Sequence, residues 1–173
     1  MRIDVVDTDV GDAGLLEPMA SFALTHLARE RRAVVMYLAT DTWQSMIGHI
    51  IRTAGRRGVI DVLQIHSHGT PGTMFSGRLN AQTAQTLIGV FRQLTPYFAP
   101  DGQVFLKGCE TGQAPALLRP LAQGFGVPVT AGFQVQFVGG ASHDVFIGGT
   151  ATALPGDSSI YLNRAGIPRR ATP

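Results

Sequence analysis

The stretch DVLQIHSHGT, residues 61–70, is an apolar run that stops on two histidines and a glycine. A second run, GQVFLKGCET at 102–111, stops on Gly108 and Cys109, and that cysteine is the only one in the chain. Short apolar runs bounded by turn formers read as strands buried on both faces. The fold is decided by what separates them, and the chemistry by whether their ends meet.

Outward from this pair, strand-like and helix-like segments alternate. RIDVVD (2–7) reads as a strand. Leu16, Met19, Ala20, Ala23 and Leu27 recur at helical spacing. AVVMYLA (33–39) is a second buried strand, after which Thr40 or Asp41 can cap a helix. That helix sets Trp43, Met46, Ile47, Ile50, Ile51 and Ala54 on one side, and Gly55 can close it. VIDVLQI (59–65) is the third strand. Asn80 caps a further helix, with Ala84, Leu87, Ile88, Phe91 and Leu94 inward. QVFLKG (103–108) is the fourth strand. A helix over 113–124 follows, with Pro115 in its first turn and Leu117, Leu118, Leu121 and Phe125 on its apolar face. VPVTAGF (127–133) is the fifth strand. Alternation of this kind specifies a mostly parallel sheet with helices on both sides, a three-layer α/β/α sandwich. Beyond Phe133 glycine pairs break the pattern into short β-like runs, expected as one or two hairpins appended to the sheet edge. Residues 164–173 read as a flexible tail, and 1–173 as a single domain.

The composition fits a globular domain: 173 residues, 45% apolar and 15% charged. The formal charge is +2 and the pI about 9.1. Every basic residue except Lys107 is arginine, dispersed or in the pairs Arg31-Arg32, Arg56-Arg57 and Arg169-Arg170. No basic stripe forms, so no nucleic-acid partner is expected. No run reaches the ~18 apolar residues of a membrane span. The first residues do not read as a signal peptide, and a single cysteine makes no internal disulfide. A cytoplasmic location is expected, unless the domain belongs to a larger exported protein.

In open α/β sheets ligands bind beyond the carboxyl ends of the strands. If the third and fourth strands are neighbours, His68 and Cys109 reach one rim. An ordinary thiol is mostly protonated near neutral pH, and a nearby imidazole raises its reactive thiolate fraction. Gly69 follows the histidine and Gly108 precedes the cysteine, so a substrate backbone can approach closely. The backbone N–H groups of Gly69 and Cys109 could then serve a developing oxyanion.

An apolar strand ending in His-Gly, followed by one ending in a small residue and cysteine, resembles the caspase-like cysteine peptidases. That group includes metacaspases, clostripain, gingipains, separase and the bacterial CHAT domains. IHSHGTPGTM, VFLKGCETG and the downstream LLRPLAQGFGVPVTAG are most similar to the bacterial CHAT-like branch. The resemblance covers roughly residues 59–133. It implies a caspase-like fold and cysteine endopeptidase activity through a thioester acyl-enzyme. It implies His68 as general base, Cys109 as nucleophile and Gly69 N–H as an oxyanion donor. It implies a protein or peptide substrate, an activating partner or dimer in some relatives, and chemistry that requires no metal or organic cofactor. The five-residue caspase signature around the cysteine is absent, and KGCET stands in its place. In such enzymes the loop after the first strand often helps build the pocket ahead of the cleaved bond. Here that loop offers Asp7, Asp9 and Asp12, and Asp144 on the opposite wall is a further acid. An acidic pocket would select arginine or lysine; the alternative is that Asp7 and Asp9 are turn and capping residues.

Two rival readings stand beside this one. His66-x-His68, then Ser76 and Leu79, resembles the zinc site of JAMM-type metallopeptidases, H-x-H-x7-S-x2-D. Leucine in the last position removes the third ligand. The other rival is a caspase-like domain without activity, acting as a binding or scaffold module. His66 reads as a strand-end donor, Glu110 as a cap for the fourth helix, and Trp43 as a core residue.

Overall fold

The computed structural model describes residues 1–7, 33–38, 40–134, 146 and 148–163. The strands are β1 (Arg2–Asp7), β2 (Ala33–Tyr37), β3 (Ile60–His66), β4 (Gly69–Thr70), β5 (Thr73–Met74), β6 (Phe98–Lys107), β7 (Val129–Gly132), β8 (Thr150–Ala153) and β9 (Ile160–Asn163). The helices are α1 (Trp43–Arg57), α2 (Ala81–Thr86), α3 (Ile88–Phe91) and α4 (Leu118–Phe125). Seven strands form one sheet in the order β2-β1-β3-β6-β7-β8-β9, and β4 and β5 pair separately. Pairing is parallel from β2 through β7 and antiparallel from β7 to β9. The protein is therefore a mixed α/β domain with a mostly parallel sheet and antiparallel strands added at one edge. The order β2-β1-β3 places a topological switch point between β1 and β3, one strand from the β3–β6 pair.

Strand alternation divides the sheet into two unlike faces. Ile3, Val5, Val35, Leu63, Ile65, Val104, Leu106, Val129 and Ala131 join one apolar cluster with α1, α2, α3 and α4. Tyr37, Trp43, Phe75, Phe91 and Phe125 fill it with ring contacts, such as Phe91 to Phe125 at 4.9 Å between centroids. The opposite face carries two smaller apolar clusters, Val6 with Val34 and Met36, and Val62 with Phe105 and Phe146. The helix expected over Leu16 to Leu27 lies outside the described residues.

Helix boundaries differ from the sequence reading for local reasons. Thr42, rather than Thr40 or Asp41, caps α1, because its hydroxyl accepts from Ser45 N–H while Ser45 Oγ accepts from Thr42 N–H. The helix closes at Gly58, whose φ of 108° suits glycine, and runs through Gly55. Asn80 caps α2 as expected, by accepting from Thr83 N–H, but the one helix expected through Leu94 is divided into α2, α3 and a 3-10 helix at Arg92–Tyr97. The single helix expected over 113–124 is instead two 3-10 turns, at 111–113 and 115–117, leading into α4. Ala114 is non-helical at φ −118°, ψ 83°, the restriction a following proline imposes.

Phe91 is 1% exposed and packs against Trp43 and Phe125. Phe91→Ala is expected to cost about 4 kcal/mol by leaving a cavity in this core. Urea unfolding followed by far-UV circular dichroism checks that value.

Candidate active site

β3 and β6 are adjacent and parallel, with His66 paired to Lys107 at their carboxyl ends. The pairing ends there, so His68 and Cys109 each lie two residues beyond the last paired residue of their strand. The chain beyond His66 turns into the β4–β5 hairpin, which Pro71 and Gly72 close, Gly72 at φ 75°. A Cβ placed on Gly69 would lie 2.9 Å from Cys109 O, 3.0 Å from Cys109 N and 2.6 Å from Thr111 Oγ1. The backbones of the two loops are therefore in contact, and only glycine permits it. Gly108 is under the same constraint, since its Cβ would lie 2.5 Å from Thr111 Oγ1. His68 is exposed, while Gly69 and Cys109 are half-buried.

Thr111 holds this contact together. Its buried hydroxyl donates to Thr73 O at 3.2 Å, tying the hairpin to the turn after β6. Glu110, next to the cysteine, sits in the left-handed region at φ 55°. That conformation costs a non-glycine residue about 1 kcal/mol. Its N–H donates to Gln134 O at 3.1 Å, and Gln113 Nε2 donates to Phe133 O at 2.7 Å, so the chain beyond β7 closes over the same turn. Glu110 gives no side-chain cap, in contrast to its expected role.

Asp7 ends β1 and is buried. Its Oδ2 accepts from Ser67 Oγ at 2.8 Å, and Ser67 Oγ in turn accepts from Phe75 N–H at 2.7 Å. Asp7 thus anchors the loop that carries His68. Asp9 and Asp144, expected to line an acidic pocket, lie outside the described residues, as does Asp12.

Beneath the rim the second face of the sheet is polar yet buried. Asp4, Gln64, His66 and Lys107 are each under 5% exposed. His66 is not a strand-end surface donor: its Nε2 is 2.9 Å from Asp4 Oδ1, and both side chains are inside. Lys107 Nζ lies 4.0 Å from the centroid of the Phe146 ring. His66 faces inward and His68 outward, so the two do not converge as ligands. Leu79, 2% exposed, is a core residue. Among the described residues no group of three His, Cys, Asp or Glu could hold a metal ion.

Sequence reasoning missed Asp4, Thr111 and the inward role of His66. A signal was present, because Asp4, Gln64, His66 and Lys107 interrupt otherwise apolar strands at positions that fall on one face.

The fold and rim define a mixed α/β domain with a histidine and a cysteine delivered to neighbouring strand ends. Residues 38–146 match a family described as a domain of unknown function, DUF8616, and the chain belongs to that family. The matched segment includes both His68 and Cys109. No curated protein and no solved structure matches the chain. No helix among the described residues is long and apolar enough to cross a membrane.

Asp4→Ala strands a buried imidazole and is expected to destabilise the chain by about 2 kcal/mol. Asp4→Ala with His66→Leu, which removes both polar partners, should recover much of that loss. A double-mutant cycle of chemical denaturation checks the coupling.

Proposed function

We propose that this domain is a caspase-like cysteine endopeptidase, a three-layer sandwich whose catalytic dyad is His68 and Cys109. The observation that carries the reading is the backbone contact between Gly69 and Cys109 at the ends of adjacent parallel strands. It brings the histidine loop and the cysteine turn together where ligands bind in open sheets. The strained Glu110 supports it, because such conformations gather where side-chain placement matters for function. The exposure of His68 and the partial exposure of Cys109 leave both within reach of a substrate.

In this mechanism His68 takes the proton of Cys109, and the sulfur attacks the carbonyl carbon of a peptide bond. The N–H groups of Gly69 and Cys109 receive the oxyanion. His68 returns the proton to the leaving amine, and a thioester remains on Cys109. Water, deprotonated by His68, then releases the acid and restores the thiol. Asp7, through Ser67, and Thr111, through Thr73, hold the two loops in place. The substrate is a protein or peptide, with arginine or lysine ahead of the cleaved bond, selected by the acids Asp9 and Asp144; Asp7, expected beside them, is buried against Ser67 and supports the His68 loop instead. The reaction requires no metal or organic cofactor. The protein is cytoplasmic, or is part of a larger exported one, and an activating partner or dimer can bring it to its active state.

The test is cleavage of a quenched-fluorescence peptide library by the purified chain. Cys109→Ala should fall to background, and His68→Ala by at least about 100-fold, with the fold unchanged by circular dichroism. A chain whose function survives Cys109→Ala is a binding or scaffold domain instead.

Gly69→Ala is a second check. The added methyl collides with Thr111 Oγ1 and the Cys109 backbone, so turnover should drop at least about 10-fold with a smaller change in KM. Steady-state kinetics on the best library peptide reads the two constants separately.

A further inference from the structure

β2 is an edge of the sheet among the described residues. Its sequence, AVVMY, contains none of the charges or prolines that usually block strand addition at an edge. An open groove of about 590 Å³ runs beside it. Ala33, Val34, Val35 and Met36 line it along the strand, with Leu38 beyond them 50% exposed. The other wall is α1, which contributes His49, Arg52, Arg56 and Arg57. His49, Arg52 and Arg56 follow helical spacing and share one exposed face. The one acid lining the groove among the described residues, Asp41, accepts from Leu38 N–H at 2.8 Å.

We propose that this groove binds an extended acidic segment of a partner protein, which adds to β2 as a further strand. The edge that β2 forms among the described residues supplies main-chain hydrogen bonds, and the arginines of α1 supply the selectivity. The peptide pattern follows from the two faces of the sheet. Residues on the α1 side would be Asp or Glu, opposite His49, Arg52 and Arg56. Alternate residues would be apolar, continuing the patch of Val6, Val34 and Met36 on the other face.

Charge separates this occupant from the others. A second copy pairing its own β2 across a two-fold axis would bring the two cationic α1 faces together on the same side of the sheet, which like charge opposes. The chain's own last ten residues, RAGIPRRATP, carry three arginines and no acid, so they are repelled as well. A single-stranded nucleic acid would use aromatic rings to stack its bases, and no aromatic side chain is among the described residues lining this groove.

The test uses the intact chain and an array of fluorescein-labelled, capped decapeptides that alternate Asp or Glu with Val, Ile or Thr. Fluorescence anisotropy should find binders that weaken on the order of 10-fold in Arg52→Glu/Arg56→Glu and on raising salt, since exposed charges are screened within about 8 Å at physiological ionic strength. N-methylation of alternate peptide amides should abolish binding, and hydrogen exchange should show protection over 33–38 in the complex. Three results would overturn the proposal. One is that no peptide in the array binds below 1 mM, on the order of the weakest specific affinities. Another is that N-methylated peptides, or an oligothymidylate of similar length, bind as tightly as the parent peptides. The third is a dimer in sedimentation velocity that buries β2 and excludes the peptides.

Discussion

The parallel pairing of β3 with β6 fixes which side chains enter each face of the sheet and where the loops beyond it emerge. Both strands are buried on both faces, but the two faces differ. Leu63, Ile65, Val104 and Leu106 enter the large apolar core. Gln64, His66 and Lys107 enter the polar one. A slip of either strand by one residue would push His66 or Lys107 into the apolar core and turn Ile65 or Leu106 away from it. Burial of unpaired polar groups costs several kcal/mol, so one register is strongly favoured. That register also sets His66 beside Lys107 and brings the loops that follow into contact.

The rim is therefore held from below and from the side. From below, the Asp4–His66 contact fixes the end of β3 against β1. From the side, Ser67 is bound by Asp7 and Phe75, so the chain leaves β3 along one path. Thr111 fastens the hairpin to the cysteine turn, and Gly69 and Gly108 leave the space that its hydroxyl occupies. These supports come from β1, β3, β5 and the turn after β6, far apart in sequence. A nucleophile and its base need placement of this kind, because small displacements cost large factors in rate.

Much of the scaffold was legible in the sequence. β1 matches the stretch read from 2–7, and the strands at 33, 60 and 129 begin within two residues of those expected. Strand-helix alternation was a strong signal because each strand is apolar and each helix has one apolar face. Helix ends were less legible. Thr42 won over Thr40 and Asp41 through its reciprocal bond with Ser45, which depends on a neighbour three residues on. The 113–124 helix broke because Pro115 excludes Ala114 from helical geometry, although proline in a first turn is ordinarily tolerated. His68 and Cys109 stood out by their place after apolar runs. Asp4, Gln64 and His66 were hidden for the opposite reason: they sit inside such runs, where a strand buried on both faces was expected to be apolar throughout. Their polar interruptions fall on one face of the sheet, but which of them meet shows only through cross-strand contacts, as between Asp4 and His66.

The proposed chemistry makes Cys109 a nucleophile activated by His68. Reaction of the intact chain with a peptidyl acyloxymethyl ketone, followed by intact mass and peptide mapping, tests it most directly. The expected result is a single adduct on Cys109, formed far faster than on free cysteine, with the rate lost in His68→Ala. Labelling no faster than free cysteine, or at an equal rate in His68→Ala, would contradict it.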